Sequence, residues 1–205
     1  MATSAADLHR LATAIRLRGV RMVAPQGFGY LGQALSAAEQ YAAVCGALLR
    51  HGTDRVVCSP GHYVVATSAA AETGLIDQTL LASYGQNGSA LEAIGTERSP
   101  VPDYTCGSLG QGLSAGAGFA LADRLQGRPE VRTFAFLSDG ELQEGQVWEA
   151  ATPALAAAGL LRASRGPGLC PERAGDQAAG HCDRAGGDAS EAFRLPRRLA
   201  GDRLI

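Results

Sequence analysis

The chain has 205 residues, 46% of them hydrophobic and 19% charged, with 18 basic against 20 acidic side chains and a net charge of −2. A balance so near neutral, without a dense basic stripe, gives no electrostatic reason to expect nucleic acid or a membrane surface as partner. No apolar run approaches the roughly 20 residues of a membrane helix, Met1 to Asp7 lack the basic and apolar regions of a signal peptide, and the five cysteines (Cys45, Cys58, Cys106, Cys170, Cys182) form no C-x-x-C pair; the sequence therefore predicts a cytoplasmic protein without structural zinc.

In chain order, Leu8, Leu11, Ala12, Ile15 and Val23 keep a loose helical spacing with arginines between them, which predicts an amphipathic helix ending near Pro25. Pro25 to Gly32 is glycine-rich and reads as a loop. Ser36-Ala-Ala-Glu39 then has the form of a capping box opening a buried helix over Tyr41 to Leu49. The β-branched run from Asp54 to Ser59, stopped by Pro60-Gly61, predicts a buried parallel strand with His62 just past its carboxyl end. Tyr63 to Thr73 reads as an alanine-rich helix ended by Gly74, Leu75 to Ser83 as a second short helix, and Gly95 to Gly107, with its two prolines, as extended loop.

Ser108 to Asp123 reads as a helix of small residues, whose glycines allow another backbone to come very close. Val131 to Leu137 is the clearest strand and ends in Ser138-Asp139-Gly140-Glu141; Gln143 to Ala158 follows as helix. Strands alternating with helices, each strand ending in a loop that bears Gly or Asp, predict an α/β fold with a parallel sheet. Ligands of such sheets gather at the carboxyl ends of the strands. Beyond Leu160 the pattern changes: residues 161–205 hold no valine and one isoleucine, and Arg, Gly, Ala, Pro and Asp dominate without helical or strand period. That stretch is expected to be a disordered tail outside a domain spanning residues 1–160.

The most specific word is Phe134-Ala-Phe-Leu-Ser-Asp139-Gly140-Glu-Leu-Gln-Glu144-Gly145. An aspartate at the end of a buried strand, followed by glycine and a helix start, puts a carboxylate beside free N–H groups. The pair suits a divalent metal bridging to a phosphate. The alternative is that Asp139 caps the helix that follows.

Three blocks, Asp54-Arg-Val-Val-Cys-Ser-Pro-Gly-His62-Tyr, Gly107-Ser-Leu-Gly-Gln-Gly-Leu-Ser114 and Ser138-Asp-Gly-Glu-Leu-Gln-Glu-Gly-Gln-Val-Trp-Glu-Ala150, resemble in order and spacing the N-terminal domain of transketolase. The resemblance covers residues 8 to 160 and is to the type in which the thiamine-diphosphate domain and its partner domain are separate polypeptides. It implies a three-layer α/β/α sheet fold, incomplete at its C-terminal end. It also implies thiamine diphosphate and Mg2+ as cofactors, a separate pyrimidine-binding C-terminal subunit in a dimer or larger homo- or hetero-oligomer, and transfer of a two-carbon ketol unit between sugars. By the same resemblance Asp139 is a metal ligand, Gly140 gives its N–H to the diphosphate, and Gly107 and Leu109 line the cofactor. His62 reaches the diphosphate and a hydroxyl of the donor sugar, and Glu144 contacts the partner's activating glutamate at the subunit interface, so His62 and Glu144 are the implied catalytic pair. Trp148 reads as a core or interface side chain, and Glu149 as exposed helix charge or a site residue.

The chain departs from the family at Gly27-Phe28-Gly29, where a Gly-His is usual, and at Gly95 to Pro100, in place of a His-Pro-Glu stretch. An asparagine that completes the metal site is due near Leu169 or Cys170, yet no asparagine follows Asn87. A shift of reading frame near Gly159-Leu160 of a GC-rich gene would produce both the loss and the arginine-rich composition. Other thiamine-diphosphate enzymes, such as a 2-oxo-acid dehydrogenase component or a deoxyxylulose-phosphate synthase, share the metal motif. A non-catalytic remnant or interaction protein would keep the fold without the cofactor. The words Glu-Leu-Gln-Glu-Gly and Ser-x-Gly-His favour transketolase among the enzymes.

Overall fold

The computed structural model describes residues 4–62, 64–156 and 161–165. Its centre is one parallel sheet of four strands, β1 (Arg55–Cys58), β2 (Tyr104–Thr105), β3 (Thr133–Leu137) and β4 (Leu161–Arg165), in the order β2-β1-β3-β4. The pleat sends alternate side chains to opposite faces. Val56, Cys58, Phe134 and Phe136 meet α1 (Ala5–Val23), α3 (Ala38–Ala43) and α4 (Val64–Glu72) through Ala12, Ile15, Tyr41, Val64 and Val65. Val57, Ala135 and Leu137 meet α5 (Gln111–Leu125) and α6 (Gly145–Ala156) through Leu113, Val147, Ala150 and Ala151. The result is the expected three-layer α/β/α arrangement, with β3 buried along its whole length. No helix among the described residues is long and apolar enough to cross a membrane.

Several local expectations are corrected. Helix α1 starts three residues early, because Ser4 and Asp7 form a reciprocal capping box. The box expected at Ser36 is absent: the loop of Pro25–Gly32 is a short 3-10 turn (Ala24–Gln26) leading into α2 (Leu31–Ser36), so Ser36 ends a helix and its hydroxyl donates back to the Gln33 carbonyl at 3.2 Å. The helix expected over Leu75–Ser83 shrinks to a 3-10 turn at Gln78–Ser83, with Asp77 accepting from the Thr79 N–H.

Strand β2 emerges from the stretch read as loop, because Asp103 holds its start against β1: the Asp103 N–H donates to the Val56 carbonyl and the Val56 N–H to the Asp103 carboxylate, at 2.8 and 2.7 Å. Strand β4 overturns the absence of strand period after Leu160, since it pairs with β3 from Thr133↔Leu161 to Leu137↔Arg165. An open strand edge presents unpaired N–H and C=O groups, and backbone pairing there outweighs weak side-chain patterning. The remaining tail, including the positions where the asparagine was due, lies outside the described residues.

Two contacts fix how the layers meet. At Gly112 a Cβ would lie 2.4 Å from Ser59 Cβ and 2.6 Å from Ser59 Cα, so α5 crosses the end of β1 at a distance that glycine alone allows. At the other end of the sheet the Asp54 side chain is fully buried and takes hydrogen bonds from Arg50 (Nη2 at 2.6 Å) and Arg132 (Nη2 at 2.5 Å, backbone N at 3.1 Å). This clamps the amino ends of β1 and β3 together. Burial opposes the charge on Asp54, but the hydrogen bonds from Arg50 and Arg132 outweigh it and hold the carboxyl well below the usual carboxylate range.

Alanine is a better helix former than glycine, yet Gly112→Ala is expected to destabilise by about 1–3 kcal/mol because the contact cannot relax. Gly118→Ala, in the same helix but facing open space, is expected to stabilise by about 0.5–1 kcal/mol; urea melts of both variants test the pair, and a Gly112→Ala protein more stable than the parent would contradict the close crossing. For Asp54 the folded carboxyl lies below its unfolded value near 3.8, so its contribution is complete above that pH and is lost as pH falls through the folded value. Asp54→Asn should therefore cost about 3 kcal/mol at pH 7, and its deficit against the parent should shrink below about pH 4. A deficit equal at pH 7 and pH 3 would show that the clamp does not depend on charge.

Candidate functional site

Because all four strands run parallel, their carboxyl ends share one edge of the sheet. The loops that leave that edge are tied together by a buried carboxylate. Glu141 is fully buried, and its Oε1 accepts from the Ser59 hydroxyl at 2.5 Å and from the Gly110 N–H at 2.9 Å. Its Oε2 accepts from the Ser138 N–H at 2.8 Å and from the Ser138 hydroxyl at 3.3 Å. Ser59 completes the relay by accepting from the Gly112 N–H at 3.0 Å. The ends of β1 and β3 and the start of α5 thus converge on one side chain. Glu141 does not stand out in the sequence, although the Ser138-x-x-Glu141 spacing is a capping-box signal and the reciprocal bond, Glu141 N–H to Ser138 Oγ at 3.4 Å, is present.

Asp139 follows the end of β3. Its side chain is half-buried and makes no hydrogen bond to the turn that starts at Gly140, so the capping alternative fails. Gly140 and Gly107 are both exposed, and a Cβ on either would point into open space. Leu109 is half-exposed, and its carbonyl accepts from Gln146 Nε2 at 2.6 Å. A Cβ on Gly110, which has φ of 82° at the start of α5, would lie 3.1 Å from Glu144 Cβ. The turn that carries Leu109 and Gly110 therefore meets the chain from Glu144 to Gln146 at this crossing. Trp148 is 37% exposed and its indole N–H donates to the Leu142 carbonyl at 2.8 Å, and Glu149 is exposed on the same helix.

His62 is half-buried, and its ring stacks on Tyr30 with centroids 3.7 Å apart and planes 10° from parallel. Burial pushes its pKa below the ordinary 6.5, while the nearby Glu141 charge pulls the other way. The imidazole is thus neutral near pH 7 and offers one N–H and one lone pair. Tyr30 is a second residue that the sequence reading missed, because it stands in a segment read only as loop.

A half-buried carboxylate that makes no hydrogen bond or ion pair among the described residues, followed in the chain by a glycine whose backbone faces open space, fits a magnesium-bound diphosphate. Magnesium takes one or two carboxylates and completes its shell with phosphate oxygens and water, and exposed glycine backbone lets phosphate oxygens approach. Among the described residues no group of three His, Cys, Asp or Glu side chains could hold a metal without such help. A cavity of about 320 Å³ at the amino ends of the strands, lined by Tyr41, His51, Asp54, Arg55, Asp103 and Arg128 among others, shares none of these groups.

The family model described as transketolase, thiamine diphosphate binding domain, matches residues 8–162. A transketolase family protein of Sinorhizobium fredii is 37% identical over 160 residues, covering 72% of this chain and 56% of that protein. The 6-deoxy-6-sulfo-D-fructose transketolase subunit SqwG of a Clostridium species is 37% identical over 155 residues, covering 71% of this chain and 56% of that protein. The solved transketolase of Leishmania mexicana superposes with a TM-score of 0.68 over 80% of this chain and 27% of that one, at 22% identity, and shares the fold. The chain spans little more than half the length of the first two relatives. With a matching model over three-quarters of its length and an α/β/α sheet that superposes on that fold, the chain belongs to the transketolase family as a thiamine diphosphate binding domain.

Proposed function

We propose that the chain is the cofactor-binding part of a transketolase-like enzyme, which moves a two-carbon ketol unit between sugars together with a separate pyrimidine-binding subunit in a dimer or larger oligomer. The observation that carries this reading is the Asp139 carboxylate at the end of an inner strand, without a side-chain partner among the described residues and next to the open backbone of Gly140, inside the segment that matches the family. The SqwG relative, itself named a subunit, covers a similar stretch and supports a divided enzyme. We place the activity in the cytoplasm, where Cys45, Cys58 and Cys106, unbridged among the described residues, stay reduced.

In this reading Asp139 holds Mg2+, the Gly140 N–H and the backbone around Gly107 and Leu109 take the diphosphate, and Glu141 keeps these loops in register without touching the ligand. Bound there, thiamine diphosphate supplies the carbanion chemistry that amino-acid side chains lack. His62, neutral near pH 7, gives or accepts a proton at a hydroxyl of the donor sugar. Glu144, at the start of α6 against the α5 terminus, faces the partner and orients the partner's glutamate. Residues 1–205 without the partner are expected to be inactive in ketol transfer.

Isothermal titration of thiamine diphosphate into the full chain with Mg2+, repeated after adding the partner subunit, tests the proposal. Saturable, Mg2+-dependent heat is expected, and Asp139→Ala should weaken binding about 10- to 100-fold, the loss of one charged contact. Heat in neither run, or heat indifferent to Asp139→Ala, would overturn the assignment and leave a family fold without its cofactor.

A further inference from the structure

The imidazole of His62 has no hydrogen-bond partner among the described residues; what orients it is the face of Tyr30. A histidine free of hydrogen bonds can rotate about its terminal torsion, and a parallel ring at 3.7 Å removes that freedom while leaving both nitrogens available. The backbone that delivers Tyr30 is itself fixed. Gly29 has φ of 145°, and a Cβ there would lie 2.9 Å from Val23 Cγ2 and 3.2 Å from the Tyr84 hydroxyl oxygen, so the residue before Tyr30 is pressed against α1 and the 81–91 loop. Phe28 packs beside Gly85, whose Cβ would lie 3.1 Å from the Phe28 ring. Tyr30 remains 40% exposed at the carboxyl edge of the sheet.

We propose that Tyr30 is a positioning residue of this site: its ring fixes the plane of the His62 imidazole and forms an aromatic wall beside it, so that a polyhydroxylated ligand reaching His62 lies against the Tyr30 edge. The role of His62 in sugar chemistry rests on the function proposed above, whereas the fixing of its ring does not. Tyr30 acts through the ring face, so the hydroxyl is dispensable for positioning. Removing the ring also admits water to His62, while the opposing charge of Glu141 stays in place.

The test is a pH titration of the histidine ring resonances of the full chain by NMR, with no ligand present. His62→Gln assigns the His62 signals, and thermal melts control for folding. In the parent protein the His62 ring protons are expected upfield, in the ring current of Tyr30. Tyr30→Ala should abolish that shift and bring the His62 pKa up toward its ordinary 6.5, and Tyr30→Phe should preserve both. Ring shifts and pKa of His62 unmoved by Tyr30→Ala, in a protein that melts as the parent does, would overturn the proposal. With partner subunit, thiamine diphosphate and Mg2+ added, Tyr30→Ala should lower kcat about tenfold while Tyr30→Phe retains it, since about 1.4 kcal/mol is tenfold in rate. Equal kcat in parent and Tyr30→Ala would also overturn it. Absence of turnover in the parent pair contradicts the function proposed above, and the NMR result then decides the role of Tyr30.

Discussion

A carboxylate buried without a cationic partner is among the costliest groups a fold can bury. Among the described residues no cation pairs with the fully buried Glu141, and four donors on three separate segments compensate it: the Ser59 hydroxyl, the Gly110 N–H, and the N–H and hydroxyl of Ser138. The arrangement works in both directions. Without the carboxylate the buried Ser59 hydroxyl and Gly110 N–H would be unsatisfied and the half-buried Ser138 would lose its acceptor, so the end of β1, the start of α5 and the end of β3 are held in one geometry or penalised together. Gly112 belongs to the same constraint, since its N–H reaches Ser59 Oγ only because α5 lies against the β1 terminus.

The two ends of the sheet differ in how completely their charges are used. At the amino end Asp54 is taken up by Arg50 and Arg132, and Asp123 by Arg55 and Arg128, both carboxylates being almost wholly buried. That end is a structural clamp. At the carboxyl end the buried charge is used to hold backbone, and the groups beyond it are left open among the described residues: Asp139 without a partner for its side chain, Gly107 and Gly140 facing space, His62 stacked without a hydrogen bond. One end of the sheet is saturated and the other carries the open groups, which the parallel direction of all four strands puts on one edge, where ligands of such sheets gather.

Much of this was legible in the sequence. Val56, Val57 and Phe134 to Leu137 are runs buried on both faces, and such runs announce central parallel strands. Strands β2 and β4 were not legible: two residues cannot show alternation, and β4 is specified by the edge of β3 more than by its own composition. The apolar stretch after Ser36 is helical as expected, but α3 ends at Ala43 and the chain continues as a π-helical turn over Val44–Leu48, and the cap differs because α2 had already claimed Ser36. At the site, Asp139, Gly140, Leu109 and Glu144 stood out as words, and the structure brings the turn that carries Leu109 and Gly110 against the chain from Glu144 to Gln146. Glu141 and Tyr30 did not stand out. Their parts depend on Ser59 and His62, residues 82 and 32 positions away in the chain, and local pattern carries no record of such pairings.

If Glu141 is the side chain that holds these loops together, amide hydrogen exchange read residue by residue in the parent chain and in Glu141→Gln shows it most directly. Gly110 and Ser138 amides are expected to be protected in the parent and to exchange faster by about tenfold or more in Glu141→Gln, whose amide group must set an N–H against one of those donors. The amide of Phe136, inside β3, should change far less. Gly110 and Ser138 exchanging at the parent rate in a folded Glu141→Gln chain would contradict the claim.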